Sequence, residues 1–569
     1  MATGKEGLEA GQAGTTPTPG REVSNPVLIL LIWLVGASGA LLLIWGSKLT
    51  FLLDDWEFLL YRRGFNAHAI LEPHGEHISV APVLIYKALL GTFGMGSALP
   101  FRVVSVGFFL LSAVLLFVFL KRRIGQWPAL AATAVVLFLG VAWEDLLWDF
   151  QIGYFGSMAC GLGALLALER GERRGDRLAT VLLTGSILFS SLGLSFLAGA
   201  AVQVLRRPDR WRRVYILVVP AAIYALWWLG WGHNAESALS LTNLAKTPAF
   251  VLNGLAASLA SFFGLALPAA SEAPGGLDWG RPLLVSAIVL VVWQLYRRGR
   301  TPRWLWVTVA VGGSFWVLAG LNQIPGREPI ASRYQYVGVV FALLFAAEML
   351  RGLRWRRPAV VAAIVVSAAA IAPNIYLLHG AYVSYRTTSQ IEKADLGALD
   401  IARKTVEPGF VLAEEIADTA YVHVEAGPYF SAADEFGSPA YSSSELEQAS
   451  QPARFAADTV LWAALRGELA PLTGARPATQ GCTEVPGGSE SPFVEVPPGG
   501  ALIEAGAQPI EDVELVRFSR GGEAPIDLQP HIGAGAAAKL TIPEDRSPVP
   551  WRMRLKTASG ATVCRLGSG

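Results

Sequence analysis

Charged side chains are scarce in this 569-residue chain, where Asp, Glu, Lys and Arg together make up only 16%. Average globular proteins carry about 25% of such residues, so the composition excludes an ordinary soluble enzyme. The 46 basic and 45 acidic residues nearly cancel to a net charge of +1, which gives no indication of a nucleic-acid partner. Cysteine is also rare, with three residues in the whole chain.

Apolar residues dominate instead, at 53% of the chain with a mean hydropathy of +0.42. Many of them form runs long enough to cross about 30 Å of hydrocarbon as helices. The sequence therefore predicts a polytopic α-helical membrane protein. The predicted spans are Pro26 to Trp45, Phe101 to Leu120, Trp127 to Ala142, Ile152 to Leu168, Leu178 to Phe189, Leu192 to Leu205, Val214 to Trp231, Pro282 to Tyr296, Trp304 to Leu321, Tyr336 to Leu350 and Ala359 to Leu378.

Short basic clusters between these runs set the predicted orientation, because Arg and Lys are enriched in cytoplasmic loops. They predict about eleven crossings in a plasma membrane, with the amino terminus in the cytoplasm and the carboxyl terminus outside the cell. Residues 1–25 have the composition of a disordered cytoplasmic tail. The run from Phe250 to Leu267 would reverse this alternation if it simply crossed, and it contains Asn253 and Ser258, so it predicts a re-entrant or outer-surface hairpin.

Residues 381–569 differ in composition from the membrane domain at residues 26–380. Gly, Pro, Ser, Asp and Glu separate short apolar segments, which predicts a soluble extracytoplasmic α+β domain that ends in a β-sandwich-like module. Cys160 lies inside a predicted span, whereas Cys482 and Cys564 flank the strand-rich end in an oxidising compartment and are predicted to pair. The predicted strands are Ala501 to Ile503, Val513 to Phe518, Ala538 to Ile542, Arg552 to Leu555 and Thr562 to Leu566.

The first outer loop, residues 50–78, is the strongest candidate for a catalytic site. Ionisable groups are rare near lipid unless they have a function, and a partly shielded carboxylate can accept a proton. Asp54 or Asp55 is the predicted general base, with a slight preference for Asp55. The alternative interpretation is that this pair caps a short helix, a position that Asp favours. The other polar candidates of the loop are Glu57, His74, Glu76 and His77.

A second outer loop adds Glu144, Asp145 and Asp149 among tryptophan and tyrosine side chains. Carboxylates beside aromatic rings suit a sugar, whose hydroxyls need acceptors and whose faces pack on rings. Arg333, followed by Tyr334, is the preferred contact for a phosphate.

No cofactor is predicted with certainty. The spacing of His74, Glu76 and His77 differs from the helical His-Glu-x-x-His zinc pattern, and a hard divalent cation on the carboxylates is left open.

An Asp-Asp pair just after the first span, a long first outer loop, short outer helices and a carboxyl-terminal outer domain resemble the GT-C superfamily of integral membrane glycosyltransferases. The resemblance covers residues 26–378 and implies an inverting transfer from a polyprenyl-phosphate-linked sugar to an extracytoplasmic cell-envelope acceptor hydroxyl, on a glycan, lipid or protein. It places Asp54 or Asp55 in the role of base.

Two other functions remain as alternatives. A flippase or transporter of lipid-linked sugars would need polar groups deep in several spans, and often shows inverted repeats. A glycan-binding outer domain held by a membrane anchor would need far fewer spans.

Overall fold

The computed structural model describes residues 25–266, 276–299, 301–412, 424–488, 492–521, 523–529 and 531–567. The predicted disordered tail lies almost wholly outside these residues. The described helices are α1 Pro26–Gly46, α2 Asp55–Leu60, α3 Ala67–Leu71, α4 Val80–Phe93, α5 Leu99–Ile124, α6 Gln126–Leu137, α7 Trp143–Leu147, α8 Ile152–Glu169, α9 Arg173–Phe189, α10 Gly193–Leu205, α11 Arg210–Arg213, α12 Tyr215–Gly230, α13 Leu241–Phe262, α14 Leu277–Arg298, α15 Arg303–Leu321, α16 Ser332–Met349, α17 Arg357–Ala402, α18 Ala426–Phe436, α19 Ser443–Gln448 and α20 Gln451–Leu465.

Every one of the predicted spans contains a helix, so the helical membrane architecture is confirmed. Seven helical segments in the described part are long and apolar enough to cross a membrane by length and composition. Their outward faces carry large apolar side chains that are exposed among the described residues, such as Trp33 at 72% and Val285 at 62% exposure. Such a surface is stable only in lipid. The protein is a multi-pass membrane protein, while the count of eleven crossings stays a prediction.

Most of the segment predicted as a hairpin, Phe250 to Leu267, belongs to one continuous helix, α13, while Leu267 lies outside the described residues. Its first turn lies at the end of α15, where the Asn243 side chain donates to the Leu321 and Gln323 carbonyls at 3.3 and 3.0 Å. Its last turn lies at the start of α16, where the Ser261 hydroxyl donates to Gln335 at 3.3 Å. The loop between α15 and α16 reaches the first outer loop through Arg327. Both ends of α13 therefore lie on the side of the first loop, which agrees with a segment that does not simply cross.

The outer domain is built directly on the last membrane helix. Helix α17 runs for 46 residues without a break, so the boundary predicted after residue 380 falls inside it. Residues Ala394 to Ala402, at its far end, share one apolar core with the β-sheets and with the first outer loop, including Phe51 and Trp56. The first loop and the outer domain are thus packed as a single unit.

Two antiparallel sheets form the predicted β-sandwich-like module. One has the strand order β3-β9-β6-β11-β4 and the other β5-β10-β7-β8, besides a separate pair, β1-β2. The strands are β1 Val411–Leu412, β2 Val424–Glu425, β3 Glu468–Pro471, β4 Thr479–Val485, β5 Val494–Glu495, β6 Gly499–Ala505, β7 Ile510–Val516, β8 Ile526–Leu528, β9 Ala537–Ile542, β10 Arg552–Thr557 and β11 Ala561–Leu566. Alternating burial along β10 and β9 places one face of each sheet in the shared core.

The predicted disulfide is present. Cys482 on β4 and Cys564 on β11 are directly opposite each other, with their Cα atoms 4.0 Å apart. The bridge fastens an edge strand whose side chains are mostly exposed. It closes a loop with a sequence separation of 82 residues, so its main effect is to restrict the unfolded chain.

We expect α13 to have both ends outside the cell. In a Cys160→Ala background, single cysteines at Ser240 and Leu265 should react with an impermeant thiol reagent in intact cells. A cysteine at Gly299, in a basic cluster, should react only after the cells are opened. Opposite accessibility of positions 240 and 265 would show instead that α13 crosses.

We expect the double variant Cys482→Ala/Cys564→Ala to lose roughly 2 to 5 kcal/mol of outer-domain stability. Its thermal unfolding in detergent should match that of the reduced wild type, whereas the control Cys160→Ala should behave as the oxidised protein. The expectation fails if mass spectrometry of non-reduced wild type finds both thiols free.

Candidate active site

A polar cleft of about 670 Å³, including the solvent in its mouth, opens beside the first outer loop. Its walls come from the first loop, the start of α8, the junction of α9 with α10, and the α15–α16 loop. Six predicted site residues line it, together with Arg327, Trp148 and Tyr154. The six are Asp54, His74, Glu76, His77, Arg333 and Tyr334.

A tight turn formed by Leu52 to Asp55 directs the side chains of the two aspartates to different places. The Asp55 amide donates to the Leu52 carbonyl at 3.1 Å, and the Asp55 carboxylate accepts the Leu52 amide at 2.9 Å. Leu53, the first of the two central residues of this turn, has a φ of +50°. The turn directs Asp54 into the cleft with 28% of its side chain exposed, while Asp55 is only 1% exposed.

Asp55 lies behind the cleft in a closed polar pocket. Its second carboxylate oxygen accepts the hydroxyl of Tyr86 at 2.5 Å. Burial raises the pKa of Asp55 to about 7, although the Leu52 amide, the Tyr86 hydroxyl and the charge of Arg102 act in the opposite direction. At neutral pH this carboxyl is only partly ionised, and it is not in contact with the cleft.

His74 joins Asp54 to a chain of alternating charges. Its Nδ1 lies 2.6 Å from Glu57 and its Nε2 lies 3.2 Å from Asp54. Burial disfavours the charged ring, but the hydrogen bonds to Asp54 and Glu57 outweigh it and raise the pKa of His74 to about 9. Arg62 then donates to Glu57 at 2.8 Å. The imidazolium of His74 thus places a positive charge next to the Asp54 carboxylate.

The His-Gly-Glu-His sequence forms a narrow reverse turn. The backbones of His74 and His77 exchange two hydrogen bonds of 3.0 and 2.9 Å, and Gly75 between them has a φ of +53°. Glycine adopts that angle without a steric penalty. The turn directs the side chains of His74 and His77 to different partners, and among the residues that the structure describes no three His, Cys, Asp or Glu side chains are grouped as metal ligands.

Two arginines bring positive charge to the far wall of the cleft. Arg327 donates to both carboxylate oxygens of Glu76 at 2.7 Å. Arg333 forms an ion pair of 2.5 Å with Glu144. The buried Nε of Arg333 has no hydrogen-bond partner within the described residues. The Arg333 side chain as a whole is 34% exposed, so the accessible part of its guanidinium can meet an anionic ligand in the cleft.

A second cleft, of about 690 Å³, lies on the other side of this wall. It shares Glu76, His77, Tyr154 and Tyr334 with the first cleft. Beyond them its lining becomes apolar, with Leu192, Leu194, Phe315 and Leu318 among its residues. A polar and an apolar compartment thus meet at one set of side chains.

The remaining predicted site residues lie behind the clefts. Glu57 supports His74, and Glu144 supports Arg333. Asp145 is fully buried, and its two oxygens have no hydrogen-bond partner in the described part of the chain. Asp149 forms a buried ion pair of 3.0 Å with Arg102.

Arg62, Arg102 and Tyr86 are among the polar residues that the sequence analysis missed. The signal for Arg102 was a single arginine two residues after Pro100, at the start of a predicted span, where an ionisable group needs a partner. Tyr86 gave no such signal, since a tyrosine near a membrane surface is common.

No protein-family model matches the chain, and no curated protein matches it. Among solved structures, ArnT from Cupriavidus metallidurans in the apo state is similar over 74% of this chain and 91% of its own, with 11% identity and a TM-score of 0.44. Arabinosyltransferase EmbB from Mycobacterium smegmatis is similar over 97% of this chain and 65% of its own, with 11% identity and a TM-score of 0.34. Similarity at this level assigns neither an activity nor a substrate to the chain.

We expect His74→Gln to remove a pH-dependent part of the stability. The folded protein holds the His74 proton up to a pH of about 9, whereas the unfolded chain releases it near 6.5. The stabilisation is therefore complete below pH 6.5, falls as pH rises and is lost above pH 9. It amounts to roughly 3 kcal/mol.

The measurement is the thermal midpoint of wild type and variant in detergent from pH 6 to pH 9.5. Their difference should shrink with rising pH. The control is His68→Gln in the same loop, where the histidine side chain is 78% exposed. A wild-type advantage that stays constant over this range would contradict the assigned role of His74.

Proposed function

We propose that the protein is a membrane glycosyltransferase that moves a sugar from a polyprenyl-phosphate donor to a hydroxyl of an extracytoplasmic acceptor. The observation that carries the proposal is that the two clefts share one wall, formed by Glu76, His77, Tyr154 and Tyr334. An accessible carboxylate and two arginines lie in the polar cleft, and an apolar cleft begins at the same wall. A substrate with a sugar, a phosphate and a long apolar chain has these three chemical parts in the same order.

Asp54 is the better candidate for the general base. It lines the cleft, and its Oδ2 is 3.2 Å from a cationic His74. Glu76 also lines the cleft, but Arg327 occupies both of its oxygens. Asp55 is enclosed, and its hydrogen bonds to Leu52 and Tyr86 stabilise the turn of the first outer loop. Because a base must reach the proton that it removes, position favours Asp54 over the Asp55 that the sequence slightly preferred.

The proposed reaction is a single displacement. The acceptor oxygen attacks the anomeric carbon while its proton passes to Asp54, and the bond from that carbon to the phosphate oxygen breaks. The polyprenyl phosphate leaves with the bonding electrons. Attack opposite the leaving group inverts the anomeric centre. This arrangement requires the acceptor on the Asp54 side of the sugar and the phosphate on the arginine side.

Arg333 and Arg327 would stabilise the departing phosphate. Arg333 lines the cleft with 34% of its side chain exposed, so its guanidinium can donate to a phosphate oxygen. Arg327 lies beside it on the α15–α16 loop and neutralises Glu76, which would otherwise repel the anion. The apolar cleft beyond Tyr334 would take the first part of the lipid chain, so the donor reaches the site through the membrane.

We expect Asp54→Asn to lower turnover by about 10² to 10⁴-fold with little change in donor binding, since general-base catalysis contributes about that much. The assay uses purified protein in liposomes, radiolabelled polyprenyl-phosphate sugars and extracted cell-envelope acceptors. The matched control is Asp434→Asn, a carboxylate of the outer domain that is 65% exposed and pairs with Arg403 at the surface.

Full turnover by Asp54→Asn would refute the assignment of the base. If wild-type protein moves the lipid between leaflets and forms no glycosidic product, the flippase alternative takes the place of this proposal. An assay of leaflet exchange on the same liposomes separates these two outcomes.

A further inference from the structure

The backbone of Leu53 is in a conformation that leucine rarely adopts. Its φ of +50° is one of two positive values among the described non-glycine residues. The other, at Arg466, follows a helix end, where the left-handed conformation is common. Leu53 is instead the first central residue of the Leu52–Asp55 turn, and Asp54, the second, has a φ of −65° and a ψ of −11°. These signs match a type II′ turn, whose first central position usually holds glycine.

A strained backbone persists only where its surroundings determine it, and such strain is frequent at functional sites. Here the surroundings converge on Leu52. Its amide donates to the Asp55 carboxylate, and its carbonyl accepts both the Asp55 amide at 3.1 Å and the Trp148 indole at 3.0 Å. Asp55 therefore closes the turn twice, once with its main chain and once with its side chain.

Two further elements hold Asp55 and its neighbour in place. Tyr86 of α4 donates to the free oxygen of Asp55. The indole of Trp56, the next residue, donates to Glu392 of α17. The turn is thus held by Trp148 in the wall of the cleft, by Tyr86 of α4 and by Glu392 of α17. All three side chains are buried.

We propose that Asp55 is a positioning residue that holds Leu53 in the left-handed conformation and so keeps Asp54 facing the cleft. This inference deepens the proposed function and rests on it for its catalytic consequence. It divides the Asp-Asp pair into a residue that meets substrate and a residue that shapes the turn. A relaxed Leu53 would rotate the following peptide and carry the Asp54 side chain away from His74.

The test combines Asp55→Asn with two substitutions of Leu53. Leu53→Gly and Leu53→Ala both remove the leucine side chain, but only glycine adopts a positive φ without a steric penalty. We expect Asp55→Asn to lower kcat by about tenfold with KM nearly unchanged. Leu53→Gly should restore most of this loss in the double variant, and Leu53→Ala should not. No substitution at Leu53 should restore the activity of Asp54→Asn.

A measurement without substrate decides the same question independently. Hydrogen exchange of peptides covering Phe51 to Leu60 should be faster in Asp55→Asn than in wild type, and slow again in Asp55→Asn/Leu53→Gly. It should be unchanged in Asp54→Asn. If Asp55→Asn fails to fold, Tyr86→Phe, which removes only the hydroxyl, should give a smaller change of the same kind.

Equal recovery with glycine and alanine, or exchange in Asp55→Asn as slow as in wild type, would overturn the inference. If wild-type protein transfers no sugar, the proposed function fails, and the exchange experiment still decides whether Asp55 holds the turn.

Discussion

The hydrogen bonds of His74 to Asp54 and Glu57 are the interaction on which the arrangement of the first loop depends. Each of these groups would be costly to bury alone beside an apolar bundle. As an alternating series that ends at Arg62, they compensate one another's charges. The rest of the cleft follows the same rule, because Arg327 is paired with Glu76 and Arg333 with Glu144.

This pairing explains how so many charged residues can lie close together beside the cleft. The carboxylates nearest the proposed phosphate site are already neutralised by arginine. Asp54 is different, since its partner His74 is shared with Glu57. Asp54 is therefore a carboxylate of the cleft that pairs with a histidine, whereas Glu76 pairs with an arginine.

Much of the fold could be predicted from the sequence because its determinants are local. Continuous apolar runs produced helices, alternating residues produced the strands of the outer domain, and two cysteines on neighbouring strands formed the bridge. The helix α13 was harder, since its length suits a crossing and only its contacts with α15 and α16 place both ends on one side. The unbroken α17 was also missed, because a change in composition does not require a break in a helix.

The candidate site was predicted in outline and not in detail. Acidic and histidine residues of the first loop identified its location, but which aspartate faces the cleft depends on one turn and on the φ of Leu53. A shift of one residue exchanges the two side chains, and boundary predictions are uncertain by more than that. Arg102 and Tyr86 acquire their partners only through tertiary packing with Asp149 and Asp55.

The shared core of the first loop and the outer domain limits which parts of the protein can be exchanged for those of another protein. An ideal helix of 46 residues is about 69 Å long, more than twice the thickness of the hydrocarbon layer. Its outer half carries the sheets, and its Glu392 accepts a hydrogen bond from the indole of Trp56. A chimera that exchanges the outer domain for that of another protein must therefore exchange the first loop with it, because the two share one apolar core.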